Sequence, residues 1–155
     1  MRRWIFMAMG GLPIPLGFYL NHQAATEWRY VIPTGMLTRV GVGVLVLWFA
    51  LGWASDKFVG SKLEALLYVN ALAAVMLVLV LFQQVVIGQF WAGPVGLMPQ
   101  WFYLPMMFLA AHTLAVFGVG GMAVVTAVSF GLMVMVSALG VKMAPTFRGK
   151  PLLSR

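Results

Sequence analysis

Long apolar runs dominate this sequence of 155 residues, and its few charged side chains stand almost entirely at the ends of those runs. The chain has ten Lys and Arg and three Asp and Glu. These are too few to cover a water-soluble surface, because soluble domains are typically about a quarter charged. Hydrophobic residues make up 63% of the chain, and the mean hydropathy is +0.98. We therefore predict an all-α integral membrane protein and exclude an ordinary soluble enzyme, a disordered chain and a nucleic-acid-binding domain.

The apolar residues fall into five segments that predict a bundle of transmembrane helices. A helix needs about 20 apolar residues to cross a bilayer, so the chain has room for four or five spans and no separate soluble domain. We therefore treat residues 1–155 as one membrane domain. The predicted segments lie at about 4–20, 36–54, 62–88, 101–117 and 122–141.

The first segment differs from the others because glycines and prolines interrupt it. Pro13 and Pro15 each remove a backbone donor and clash with the preceding turn of a helix. Residues 4–20 are therefore predicted to form a broken segment that is re-entrant, interfacial or a fifth span. A polar stretch at 21–35 follows it.

The positions of the basic residues favour four full spans. Cytoplasmic loops of membrane proteins carry an excess of Lys and Arg. If the first segment does not cross the bilayer, Lys57 and Lys62 are the only basic residues on one side of the membrane, and the other eight lie on the opposite side. The predicted orientation has both termini in the cytoplasm of a bacterial-type inner membrane. The basic residues assigned to the cytoplasmic side are Arg2, Arg3, Arg29, Arg39, Lys142, Arg148, Lys150 and Arg155.

Local signals place several helix ends. Ser61 and Glu64 form an S-x-x-E pattern before an apolar run, which is a capping box and predicts a helix start near Lys62. Pro105 is expected in the first turns of the fourth span, where the missing donor has no intrahelical partner. The glycine-rich turn after residue 117 predicts that the fourth and fifth spans form an antiparallel hairpin.

His112 is the first candidate for a functional side chain. It is the only ionisable residue predicted to lie deep inside a span. Placing a polar group in lipid costs free energy, so such residues are commonly functional. One interpretation is a neutral structural hydrogen bond between helices, and the other is a ligand or proton role. The partners considered are Asn70, Gln83, Gln84, Thr126 and Ser129.

Amide side chains form the second candidate. Asn70 and Gln84 are about four helical turns apart and are expected on one face, with Gln83 one step round. Together with Gln100 and nearby aromatic residues, these amides could form a pocket for a lipid headgroup, a quinone or a small polar solute. The alternative is hydrogen bonding between helices, which contributes about 0.6 kcal/mol on average in membranes.

Two further groups complete the candidates. His22, Glu27, Arg29 and Arg39 are the most polar grouping and could line a shallow site beneath a re-entrant first segment. Small residues recur every four positions in the fifth span and predict close helix packing, either within the chain or against a partner subunit. These small residues are Ala123, Ala127 and Gly131.

Part of the second segment resembles a known family. Arg39, Gly43, Trp48, Gly52 and Lys57 are similar to the first helix of small four-helix DoxX-like membrane proteins. The resemblance covers this helix only, and the pattern that follows it in that family is absent from the chain. It therefore implies no residue roles here.

Chemical motifs are absent from the sequence. There are no cysteines and only two histidines, so we predict no metal site and no cofactor. No carboxylate lies within a span, and no hydrolase, zinc-protease or phosphate-loop motif occurs. The predicted function is non-catalytic: an accessory or structural subunit, or a homo-oligomer, acting through lipid or helix contacts. The alternatives are a small oligomeric transporter with a polar path near Asn70, Gln84 and His112, and a membrane enzyme or binder acting on a lipid or quinone.

Overall fold

The computed structural model describes residues 2–27, 33–55, 58–59, 61–88, 94–116, 118 and 121–144. Within these ranges the chain is all-helical and forms no strand, as the sequence predicts. The helices are α1 (Arg2–Met9), α2 (Pro13–Thr26), α3 (Thr34–Ser55), α4 (Lys62–Leu81), α5 (Pro94–Ala115) and α6 (Met122–Met143). A π-helical turn, Phe82–Ile87, continues α4 without a break.

Three of these helices are long and apolar enough to cross a membrane. They are α3, α4 with its π-helical turn, and α6. In each of them only 33% of the most apolar 18-residue stretch is buried inside the bundle. The rest faces outward although it is apolar, as at Val46 and Val78, whose side chains are 62% and 65% exposed. An outer surface of this kind suits contact with lipid rather than water.

The first hydrophobic segment divides into two helices, and the break lies at the glycines rather than at the prolines. Gly10 and Gly11 end α1 in a tight turn, whereas Pro13 and Pro15 lie in the first turn of α2. Prolines are compatible with that position because the first helical donors lack partners anyway. α2 then continues through polar residues as far as Thr26, beyond the predicted segment end at residue 20.

The two N-terminal helices pack on different parts of the bundle. α1 contacts α4, where Gly10 lies close to the backbone of Val69. α2 contacts α5 along its length, and Phe18 meets Trp101 edge to face. The two halves of the broken segment therefore pack separately, α1 against α4 and α2 against α5.

The predicted start of α4 near Lys62 is confirmed, with Ser61 as its N-cap. The Ser61 hydroxyl accepts a hydrogen bond from the backbone N–H of Glu64 at 3.1 Å, and α4 begins at Lys62. This bond satisfies one of the donors that the first turn of every helix leaves unpaired.

α3 and α6 approach each other closely through glycine. Gly52 of α3 lies against the backbone of Ser137, and Gly140 of α6 lies against the backbone of Phe49. The buried face of α6 therefore differs from the small-residue stripe that the sequence singles out. That stripe is directed elsewhere, since Ala127 is exposed and a Cβ added at Gly131 would meet no atom within 4 Å. Ala123 is half-buried.

α5 begins at Pro94, seven residues before the predicted start at residue 101. Pro105 consequently lies in the middle of the helix instead of its first turns. α5 is as long as α3 and α6 but carries three prolines, Gln100 and His112, and it is not among the three membrane-capable helices. It contacts α2, α3, α4 and α6.

Candidate ligand-binding cleft

A cleft of about 120 Å³ opens between α2, α4, α5 and α6. Its floor consists of fully buried side chains, Val80, Tyr103 and Thr126. Its rim includes Asn21 at the end of α2 and Met122 at the start of α6, both exposed. The cleft therefore extends from the surface of the bundle to its core.

The walls of the cleft combine amide, indole and aliphatic groups. Gln84 enters from the π-helical turn, and Gln100 and Trp101 enter from α5. Leu104 and Met107, one and two turns further along α5, complete the apolar part of the wall. Among the residues that the structure describes, those lining the cleft carry no formal charge.

Two adjacent glutamines of the π-helical turn make different contacts. Here Gln83 is buried, and its amide nitrogen donates to the backbone carbonyl of Gly96 at 3.2 Å. Gln84 lines the cleft. Single π-helical turns of this kind occur frequently at functional sites.

Several polar atoms at this end of the bundle are buried without a hydrogen-bond partner among the described residues. They are the amide nitrogen of Gln84, the indole nitrogen of Trp101 and the amide oxygen of Gln83. Leaving such a group unpaired costs about 1–3 kcal/mol on mutational scales, so buried polar groups are nearly always bonded. Two of the three, the donors of Gln84 and Trp101, belong to residues that line the cleft.

Tyr103 positions the wall that α5 contributes. Its hydroxyl donates to the backbone carbonyl of Ala73 in α4 at 2.6 Å. Its ring meets Phe102 edge to face, and Phe102 in turn meets Trp48 of α3 in the same way. These contacts join α3, α4 and α5 at the level where Trp101 and Leu104 face the cleft.

Asn70 belongs to a different polar cluster in the bundle core. Its side-chain oxygen accepts a hydrogen bond from the Trp48 indole N–H at 3.1 Å, and its nitrogen donates to the Ser137 hydroxyl at 2.9 Å. One amide thus bridges α3, α4 and α6. Asn70 does not line the cleft that contains Gln84, so the structure does not bring these two residues into one site.

His112 lies on the surface rather than deep within a span. Because α5 begins earlier than predicted and ends at Ala115, His112 falls in its last turn. The side chain is exposed, and its Nδ1 bonds the backbone carbonyl of Phe108 in the same helix at 2.8 Å. Within the described ranges it has no hydrogen bond to Asn70, Gln83, Gln84, Thr126 or Ser129.

The polar grouping near the N-terminus does not form an enclosed site in the described part of the chain. His22, Glu27 and Arg39 are all exposed, and Arg29 lies outside the described residues. No group of three His, Cys, Asp or Glu capable of holding a metal occurs among the residues that the structure describes.

Of the amides predicted to form a pocket, Gln84 and Gln100 line the cleft, and Trp101 and Tyr103 are the aromatic residues beside them. The sequence did not predict two of the helices that close the cleft. Asn21 enters because α2 extends beyond its apolar run, and Met122 enters because α6 begins beside the end of α4. Neither residue stands out by type or spacing. No protein family, curated protein or solved structure matches this chain.

Proposed function

We propose that this chain is a non-catalytic, multi-pass membrane protein that binds a membrane-soluble molecule, a lipid or a quinone, between its helices. The observation that carries the proposal is the cleft, where the buried donors of Gln84 and Trp101 lack a partner in the described chain. The three membrane-capable helices and their apolar outer faces support placement in a bilayer.

The cleft favours binding over catalysis because its side chains are poor acid–base groups. Amide, indole, hydroxyl and thioether groups line it, and acid–base chemistry at neutral pH usually uses His, Asp, Glu or Lys. A polar transport path through Asn70, Gln84 and His112 has less support, since the three residues occupy separate environments.

Association with another membrane subunit, or with a second copy of the chain, is a further part of the proposal. The stripe of Ala123, Ala127 and Gly131 is not used in the close α3–α6 contact. Small residues at this spacing allow helices to approach in lipid. The stripe is therefore the face of α6 that we assign to a neighbouring helix.

Native mass spectrometry of the protein, extracted gently from its own membrane, tests these proposals together. A stoichiometric small molecule of lipid or quinone mass supports the binding function. A stoichiometric second polypeptide, or a homo-oligomer, supports the subunit role. A bare monomer that retains neither, in several mild detergents, would contradict both.

We propose that both termini lie in the cytoplasm of a bacterial-type inner membrane. The sequence alone predicts Lys57 and Lys62 on the opposite side, but the packing argues against this. Phe6 meets Phe58, and Gly140 lies beside Phe49 and Trp53, so both terminal helices end beside the loop at 56–60. Lys57 and Lys62 are therefore proposed on the cytoplasmic side with the termini. Reporter fusions at the C-terminus and within residues 56–60 test this orientation. A reporter that is active only in the cytoplasm should be active at both positions, and activity at only one of them would overturn the orientation.

A further inference from the structure

The chemistry of the cleft narrows the class of ligand, provided that the proposed binding function is correct. We propose that the ligand presents a neutral carbonyl oxygen to Gln84 and Trp101, the group shared by the esters of glycerolipids and the rings of quinones. The donors of these residues, the charge of the lining and the size of the cleft each support this ligand class.

The unpartnered groups of the two cleft-lining residues Gln84 and Trp101 are both hydrogen-bond donors. The Gln84 amide nitrogen carries two N–H bonds, and the Trp101 indole nitrogen carries one and cannot accept. Both nitrogens are buried without a partner in the described parts of the chain. A carbonyl oxygen has two lone pairs and can accept from both donors. A ligand that offers only donors, such as an ammonium group, would leave both nitrogens unpaired.

The lining of the cleft argues against an anion. In the described part of the chain, no Lys, Arg or His lines it. An ionised carboxylate or phosphate taken out of water needs a paired charge, and its desolvation costs more than two neutral hydrogen bonds return. A neutral carbonyl loses much less on leaving water. The phosphate of a phospholipid therefore remains at the surface in this arrangement, while an ester carbonyl enters.

The size of the cleft limits what enters it. A cavity of about 150 Å³ is enough to hold a benzene ring, and the cleft measures about 120 Å³. The cleft is smaller than that, so it accommodates one ester group or the carbonyl-bearing edge of a quinone ring, but not a whole lipid. The apolar tail of either molecule continues over the rim. Val85 and Val86 of the π-helical turn, 72% and 68% exposed, extend the apolar surface from Gln84.

The experiment measures binding to the full chain in dodecyl maltoside, a detergent without carbonyl groups. Four probes differ in one property at a time: a short-chain benzoquinone, a monoacylglycerol, the fatty acid of the same chain at pH 8, and the matching alkane. Isothermal titration calorimetry gives each affinity. We expect the quinone or the monoacylglycerol to bind tightest, and their order identifies which source supplies the carbonyl.

Variants connect the affinity to the two donors. Gln84→Met keeps the length of the side chain but removes its donor, and Trp101→Phe removes the indole N–H. Each variant should bind the preferred carbonyl probe about fivefold more weakly, which is the effect of losing one neutral hydrogen bond. Its affinity for the alkane should not change. Gln23→Met is the matched control, because it makes the same change at a glutamine of α2 that does not line the cleft. Its effect should stay below about twofold, and thermal melts establish that all three variants fold.

The possible failures are distinguishable. Tighter binding of the fatty-acid anion than of the ester would overturn the neutral-carbonyl inference while preserving a binding cleft. Equal binding of the alkane and the carbonyl probes, or unchanged affinity in folded Gln84→Met and Trp101→Phe, would overturn it in the same way. If none of the four probes binds, and the protein extracted from its membrane carries no small molecule, the proposed function itself fails.

Discussion

The α-carbon of Gly17 in α2 lies directly against the backbone carbonyl of Trp101 in α5. In a regular helix that carbonyl would accept a hydrogen bond from the residue four positions on, but this residue is Pro105, which has no amide proton. Cα–H groups next to carbonyl oxygens are a recurring weak interaction at helix–helix interfaces. The contact therefore places α2 against the part of α5 that carries Trp101 into the cleft.

Gly17→Ala should destabilise the bundle. A methyl group at this position would overlap the Trp101 carbonyl, so α2 and α5 would have to separate. Overpacking of this kind costs about 1–3 kcal/mol, which a thermal melt in detergent detects. Gly43→Ala is the matched control, because a Cβ there meets no atom within 4 Å. It should be neutral or slightly stabilising, and equal melting temperatures for the two variants would show that the contact is unimportant.

Gly140→Ala should weaken the packing of α3 on α6. The added methyl would overlap the carbonyl of Phe49 and lie 2.9 Å from the backbone nitrogen of Trp53. We expect this overpacking to lower the free energy of unfolding by about 1–3 kcal/mol, measured by unfolding in mixed detergent. Gly131→Ala, in the same helix but facing open space, serves as the control. A larger effect at Gly131 than at Gly140 would mean that the stripe, and not the α3 contact, dominates the stability of α6.

Asn70→Leu should destabilise the protein without affecting the cleft. The change leaves the indole N–H of Trp48 unpaired in the core and removes the bond to Ser137. Unpaired buried donors cost about 1–3 kcal/mol. Ligand affinity should remain unchanged, because Asn70 does not line the cleft.

A double-mutant cycle tests whether Asn70 and Trp48 act together. Trp48→Phe removes the donor, so the free-energy losses of the two single variants should add up to more than that of the double variant. Strict additivity would show that the hydrogen bond contributes nothing measurable. A transport path through Asn70 would instead appear as altered flux in a variant that remains folded.

Val46→Arg should impair membrane insertion. Val46 lies near the middle of α3 and is 62% exposed. An Arg at the centre of a membrane helix costs about 2.5–3.5 kcal/mol on insertion scales. Leu63→Arg is the control: Leu63 is 67% exposed but lies at the start of α4, where a long side chain reaches the interface. Carbonate extraction should release more of the Val46→Arg variant, and identical behaviour of the two would argue against a lipid-facing surface.

The helical class and the start of α4 follow from the sequence because they depend on local signals. Apolar runs without charge specify helices, and Ser61 with Glu64 specifies a cap. The position of α5 does not follow in the same way. Its first residues, with Pro94, Gly96 and Pro99, have the composition of a loop, but the structure places them in a helix that packs against α2 and α4. His112 lies in the last turn because α5 ends at Ala115.

The packing face of α6 shows a second limit of sequence patterns. This helix has small residues on two faces, one with Ala127 and Gly131 and the other with Ser137 and Gly140. Spacing alone does not distinguish them. The partner decides, because Gly52 and Phe49 of α3 present backbone that only the second face can approach. The same applies to the cleft, because no sequence pattern indicates that Asn21 of α2 and Met122 of α6 lie near each other.

The π-helical turn makes the cleft dependent on the length of α4 as well as on its composition. A π-helical turn holds one residue more than an α-helical turn of the same rise, so deletion of a single residue would restore the regular helix. Such a deletion would rotate the residues beyond it by about 100° about the helix axis, so a deletion before Gln84 would turn its amide away from the cleft. Substitution at Gln84 changes one group, whereas a single-codon deletion would redirect every side chain of the helix that follows it. Relatives of this chain that bind the same ligand should therefore keep the spacing from Lys62 to Gln84 even where the residues between them vary.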